Sequence, residues 1–221
     1  MEIDICRVIY DDIKLKTRDA EKIRGYIGNK YIENSLLHNH DDKKYIYRYP
    51  LVQYKVLNEI PIIIGIGEGA DSISKIGILN DEFIINNKKY ITFQKQIIKV
   101  VSEIASTDDY IEYELLTPWI ALNQKNIFDY INGNLIEKEE ILKKILIGNI
   151  ISMSKGLNYT VDKQIFCWVN LKEVSVNLKG KKHLAFVGRF KVNFNIPDYL
   201  GIGKSVSRGF GTVKKYSAIK Y

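Results

Sequence analysis

One order of apolar periodicities, readable twice along the 221 residues, constrains this chain most. Ile3, Ile5 and Ile9 alternate with polar residues, the period of a half-buried strand. Thr17 opens a helical stretch with Asp19 and Glu21 early, running to about Leu37. Alternation returns over residues 49–56, with Val52, Tyr54 and Val56 on one face and Leu51, Gln53 and Lys55 on the other. Asn58-Glu59 reads as a hairpin turn into a strand over residues 60–66. A short helix is expected at about residues 71–79, and strand-like sequence at 83–93. The order is β-α-β-β-α-β, the ferredoxin-like unit.

The second copy begins with strands expected at about residues 99–106 and 110–121. A strong helix follows over about 137–155, with Ile141, Ile145 and Ile151 on its apolar face. Strands resume at 166–178 and 184–195, separated by a polar turn at Gly180. In the last of these Phe190, Val192 and Phe194 face one way and Arg189, Lys191 and Asn193 the other. That polar face fits solvent or a sheet surface that receives RNA. Pro197 ends the strand, a glycine-rich stretch follows, and residues 212–219 read as a final strand. The expectation is an α+β chain of two tandem ferredoxin-like (RRM-like) domains, residues 1–97 and 98–221, with no low-complexity linker between them.

Charge is unevenly placed. The chain carries a net +7. Residues 181–221 hold nine Lys or Arg against Asp198 alone, a balance of +8, and the remainder comes to −1. A local excess of this kind marks a face for an anionic partner better than a diffuse one does. Cys6 and Cys167 lie in apolar strand contexts and read as buried reduced thiols. The first residues carry Glu2 and Asp4 rather than a leader, and no apolar run approaches the roughly 20 residues of a membrane helix. A soluble cytoplasmic protein without a membrane partner is expected.

The basic segment contains Gly201-Ile202-Gly203-Lys204-Ser205-Val206-Ser207-Arg208-Gly209-Phe210-Gly211. Glycine lacks a Cβ, so its backbone N–H can approach a phosphate closely. Lys204 and Arg208 add charge, and Ser205 and Ser207 neutral donors. Gly203-Lys204-Ser205 matches the end of a P-loop, but that motif needs glycine where Asp198 stands. A phosphate-binding loop and an ordinary glycine-rich turn fit the composition equally.

Two of the three histidines fall in Leu37-His38-Asn39-His40-Asp41-Asp42. The start resembles a metallo-β-lactamase metal motif, but Lys43 stands where the next histidine belongs, and only His183 remains downstream. No metal is therefore expected. A histidine pair past a helix end suits proton transfer near neutral pH, but on local sequence alone a polar surface loop is the better reading. Gly65-Ile66-Gly67-Glu68-Gly69-Ala70 matches the dinucleotide fingerprint literally. Its strand sits second in a hairpin, and Asp81-Glu82 precede the next strand where a ribose-binding acid should end it. Tight strand-to-helix packing is the better use for these glycines.

Three segments in this order carry a resemblance: Leu37-His38-Asn39-His40; Tyr49-Pro50-Leu51-Val52-Gln53-Tyr54-Lys55 leading into Ile64-Gly65-Ile66; and the Gly201–Gly211 loop with its Gly209-Phe210-Gly211 end. Together they resemble the CRISPR-associated endoribonucleases that cut repeat RNA into guide RNAs, within the RAMP superfamily. The resemblance implies two tandem ferredoxin-like domains with the glycine loop before the last strand. It also implies cleavage without metal or cofactor, by attack of a ribose 2′-hydroxyl on the adjacent phosphate, leaving a cyclic phosphate and a 5′-hydroxyl. By match, His40 is the first candidate for proton transfer and His38 its alternative or partner. Tyr47 follows as a hydroxyl near the scissile ribose, then Tyr45, with Lys30 as a source of charge. RNA contacts are expected from Gly201, Gly203, Lys204, Ser205, Ser207, Arg208, Gly209 and Gly211, with Arg189 and Lys191. CRISPR repeat RNA is the implied partner, with other effector subunits and a second copy of the chain as further ones. A non-catalytic RAMP subunit that binds guide RNA, and a nucleotide-cofactor enzyme using Gly65–Ala70, are the alternatives.

Overall fold

The computed structural model describes residues 1–37 and 49–217, and the backbone alone at 40–41 and 44–45. The strands are β1 (Glu2–Ile9), β2 (His40–Asp41), β3 (Lys44–Tyr45), β4 (Val52–Leu57), β5 (Ile60–Ile66), β6 (Glu82–Ile85), β7 (Lys88–Ile91), β8 (Gln96–Glu103), β9 (Ala105–Leu115), β10 (Cys167–Leu178), β11 (Lys181–Asn195) and β12 (Val213–Lys215). The helices are α1 (Ala20–Lys30), α2 (Glu68–Leu79), α3 (Ile127–Asn132) and α4 (Leu135–Gly156). The chain divides into two compact units. One is Glu2–Ser102 with Val206–Gly209; the other is Met1, Glu103–Ser205 and Phe210 onward. The expected boundary at 97/98 falls inside β8.

The first unit holds a sheet of order β4-β5-β1-β8. Asn58 and Glu59 both take left-handed backbone angles, φ 49° and 67°, as a two-residue hairpin turn requires, and β4 pairs antiparallel with β5 across it. Val52, Tyr54 and Val56 do face the core, with Cys6 and Val8 of β1, Ile23 and Ile27 of α1, and Ile73 and Ile76 of α2. The expected helix from Thr17 to Leu37 is α1 flanked by two single 3₁₀ turns. The stretch 83–93 is not the fourth strand. Asn86 and Asn87 at φ 53° and 61° fold it into the separate β6–β7 hairpin, and β8 closes the sheet instead. At the fingerprint-like glycines, a Cβ on Gly65 would strike the Gly69 carbonyl, and one on Gly69 the Leu51 carbonyl. The glycines let α2 start hard against β4 and β5, and the pairings on both sides of β5 are antiparallel rather than a dinucleotide-binding βαβ.

The second unit repeats the order as β10-β11-β9-β12. α4 begins two residues before expectation, because Asn134 and Glu137 form a capping box: Asn134 Oδ1 accepts the Ile136 and Glu137 N–H groups at 2.9 and 3.0 Å, and Glu137 returns a 2.7 Å acceptor to the Asn134 N–H. Its buried stripe is Leu142, Leu146, Ile150 and Met153, not the expected one; Ile151 is 46% exposed. Each buried side chain of this size contributes about 1.5–3 kcal/mol. No second crossover helix follows β11. The chain passes through the glycine-rich loop and returns as β12. No helix among the described residues is long and apolar enough to cross a membrane. Both cysteines are buried free thiols, and burial pushes the Cys167 thiol up to about 11.

Candidate nucleic-acid interface

The loop is built from its base. After Pro197 the chain doubles back: the Tyr199 N–H donates to the Val213 carbonyl at 2.7 Å, the Val213 N–H to Leu200 at 2.9 Å, and the Ile202 N–H to Gly211 at 2.9 Å. Gly201 lies in a bridge opposite Thr212. Residues 116–122 run along its side. The Leu116 N–H donates to Thr212 at 2.8 Å, Gly211 to Pro118 at 2.9 Å, and Lys204 to Ile120 at 3.3 Å. The Thr117 hydroxyl accepts the Thr212 N–H at 2.9 Å. This scaffold fixes where the basic side chains emerge.

Two glycines are required by their surroundings. Gly203 has φ +83°, and a Cβ there would strike the Trp119 indole, whose Nε1 donates to Asn149 Oδ1 at 3.0 Å. Gly209 has φ +89°, and a Cβ would sit 3.0 Å from the Tyr54 carbonyl oxygen and 3.1 Å from the Ala20 Cβ. At both, the protein itself occupies the place where a Cβ would stand, so the fold requires glycine there. The positive backbone angles at both make the loop's turns.

Each basic side chain expected to meet RNA already has a protein contact. Lys204 Nζ donates to the Leu122 carbonyl at 2.5 Å, and partial burial lowers its ammonium below the ordinary lysine value. Arg208 lies in a 3₁₀ turn, Val206–Arg208, with Nη1 3.0 Å from Glu21 Oε1. The Arg189 guanidinium stacks 3.4 Å over the Tyr216 ring, and Lys191 Nζ is 3.7 Å from Glu112. The register places Arg189 and Lys191 beside Asn170 and Trp168 of β10, and beside Glu114 and Glu112 of β9. Trp168 and Tyr110 meet edge to face at 4.5 Å and are each 49% exposed. That face therefore offers cations, carboxylates and aromatic rings together. Asn193 does not share it. The register shifts between Val192 and Phe194, and the buried Asn193 amide accepts the Phe166 N–H at 2.7 Å and donates to the Gln164 carbonyl at 3.0 Å.

His38 and Tyr47 lie outside the described residues. His40 and Tyr45 are described by backbone alone, as partners in the β2–β3 pairing. The approach to them is defined. The Tyr54 hydroxyl, buried in the first core, donates at 3.2 Å to the carbonyl of Leu37, the residue before His38. Burial is the chief cause that pushes its phenol far above the ordinary range. Lys30 is held rather than freely solvated: Nζ donates to Asn80 Oδ1 at 2.9 Å and sits 5.6 and 5.8 Å from the Tyr26 and Tyr31 ring centres.

Tyr54, Lys55, Glu21 and Arg24 lie beside this loop, and sequence reasoning gave them no part in a site. For Tyr54 a signal existed, since a tyrosine on the core face of a strand must find an acceptor for its hydroxyl. Arg24 is partly buried; desolvation first, and then the neighbouring Arg208, lowers its guanidinium below the ordinary arginine value. Lys55 is fully buried, with Nζ donating to Gln53 Oε1 at 3.0 Å, and desolvation pulls its ammonium down to about 7. Nothing in the local sequence separates it from a solvated lysine.

Comparison with known proteins agrees with this architecture. The Cas6b N-terminal domain matches residues 1–103 and the Cas6b C-terminal domain residues 105–216. A crystal structure of Cas6b superposes with a TM-score of 0.94 at 43% identity, covering 98% of this chain and 100% of that one. A second, described as a CRISPR RNA processing endoribonuclease Cas6b, gives 0.80 at 40% identity over the same shares. An uncharacterized protein of Methanocaldococcus jannaschii is 42% identical over 139 residues, which are 59% of this chain and 95% of that protein. With both halves matched in order, the chain belongs to the Cas6b family.

Proposed function

We propose that this chain is a metal-independent endoribonuclease that cuts CRISPR repeat RNA within precursor transcripts to release guide RNAs, acting in the cytoplasm. The observation that carries the reading is 40% identity along 98% of the chain to a CRISPR RNA processing endoribonuclease. The first domain supplies the chemistry. His40, or His38 in its place, takes the proton from the ribose 2′-hydroxyl as that oxygen attacks the adjacent phosphorus. The bond to the 5′-oxygen breaks, and the partner group protonates that leaving oxygen, giving a 2′,3′-cyclic phosphate and a 5′-hydroxyl. In this reading the Tyr47 hydroxyl serves at the scissile ribose, and Lys30 adds positive charge toward the phosphorane. The second domain and its loop hold the RNA through Lys204, Ser205, Ser207 and Arg208, with Arg189 and Lys191 on the sheet. Other effector subunits and a second copy of the chain are further partners in this reading.

Incubation with repeat RNA from the host's own array, in excess EDTA, tests it. The expected result is cutting at one position with a cyclic phosphate on the upstream product. Binding without cutting would make the chain a guide-RNA-binding subunit. Cutting that stops in EDTA and returns with a divalent ion would overturn the mechanism.

A further inference from the structure

Arg208 is not a loose loop side chain. Gly209 seats the loop on the first turn of α1, against Ala20, and on the β4 backbone at Tyr54. From there Arg208 reaches Glu21, while its side chain stays only 18% exposed. Glu21 and Arg24 are three residues apart on α1 and so share a face. That helix packs against the Val206–Arg208 turn, and Arg208 is near enough to Arg24 to lower its guanidinium, so two guanidinium groups stand in one neighbourhood with a single carboxylate bound to Arg208. Arg208 Nη1 is buried, and although Glu21 lies 3.0 Å away, no hydrogen bond to it is aligned. A buried charged donor without an aligned acceptor is costly. Arginine's planar fork matches a phosphate better than a single off-axis carboxylate oxygen.

We propose that Arg24 and Arg208 form a binding notch for a backbone phosphate of the RNA, in which Glu21 is a resident carboxylate that the phosphate replaces. The inference rests on the RNA-processing reading and adds to it a contact from helix α1. One phosphate bridging the two guanidinium groups relieves their mutual repulsion and supplies Nη1 with an acceptor. The released Glu21, 42% exposed, turns to solvent at little cost. The contact is to backbone, so it sets position and strength, not sequence.

The test is equilibrium binding of fluorescein-labelled repeat RNA to the full chain across a potassium chloride series. Arg24→Gln is expected to weaken binding about tenfold or more, the scale of a hydrogen bond to a charged group. It should also lower the log–log salt slope by roughly 0.7, one phosphate contact to a single strand. Glu21→Gln is expected to do the opposite, tightening binding about two- to fivefold. Inorganic phosphate as competitor forms a second arm. Competition at concentrations far below those that screen charge would show a site for free phosphate rather than for the RNA chain, and would overturn the proposal. So would an unchanged slope in Arg24→Gln, or unchanged or weakened binding in Glu21→Gln. The Glu21 arm still decides if Arg24→Gln melts early. Wild-type cutting, read in the same samples, separates the two claims: binding without cutting fails the nuclease reading alone, and cutting with an unaltered salt slope in Arg24→Gln fails the notch alone.

Discussion

In the first half the chain leaves β5 through Gly67, forms helix α2 and returns as β8; in the second it leaves β11 through Pro197, forms the glycine-rich loop and returns as β12. The sheet orders are the same. The crossovers differ in what they bury and what they show. α2 buries Ile73 and Ile76 in the first core and needs glycine only where its start touches β4 and β5. The loop buries Ile202 and Val206. Backbone hydrogen bonds to residues 116–122 hold it, and its turns place Lys204 and Arg208 outside the core. A helix there would cover the sheet and hide its own backbone. A loop can be shaped around positions where charge is needed. The same fold unit thus provides one half in which we place the histidine chemistry and one whose crossover loop we propose to hold the RNA.

A matched pair of glycine substitutions probes this difference. Gly69→Val drives a side chain into the Leu51 backbone and is expected to cost more than about 4 kcal/mol, enough to unfold the first unit. Gly209→Val meets atoms at 3.0–3.1 Å in a left-handed conformation and is expected to cost about 2 kcal/mol, with the core intact. Thermal melting of the two variants reads the contrast. Equal losses would mean that the loop packs as tightly as the helix does.

Lys55 provides a second, smaller effect. The unfolded chain keeps this proton up to about pH 10.5, whereas the folded chain releases it near 7. Between those values the unfolded state binds more protons, so stability rises with pH. Below about pH 7 both states are protonated and the full penalty remains. Lys55→Met is therefore expected to raise stability by on the order of a few kcal/mol at and below pH 7, the gain shrinking toward pH 10.5. Urea unfolding at pH 6, 8 and 10 checks this; a gain that does not change with pH would remove the buried charge from the account.

Legibility in the sequence followed locality. The Asn58-Glu59 turn, the alternation of Val52, Tyr54 and Val56, and the Gly180 turn depend on neighbouring residues and were readable. The Asn86-Asn87 turn is equally local and passed unnoticed inside an apolar stretch, which moved the fourth strand from β8 to residues 83–93. Expected strand 99–106 ran across the division at Ser102, because only Ile104 separates β8 from β9 and no turn chemistry marks the join. In the site, the loop's basic residues were plain. Their contacts with Leu122 and Glu21, and the Tyr54–Leu37 hydrogen bond, join distant segments, and no local pattern encodes them.

The central claim is that chemistry and RNA holding are divided between the histidine segment and the loop. Single-turnover cleavage of repeat RNA over a range of enzyme concentrations, for His40→Ala and for Lys204→Ala/Arg208→Ala, tests it most directly. The first variant is expected to keep its half-saturation point and lose about 10²–10⁴-fold in maximal rate. The second is expected to keep the maximal rate and need more enzyme to reach it, with a salt slope flatter by roughly 0.7 for each lost contact. A His40→Ala variant that cuts at the wild-type rate alongside an equally active His38→Ala, or a double loop variant that loses maximal rate with unchanged half-saturation, would contradict the division.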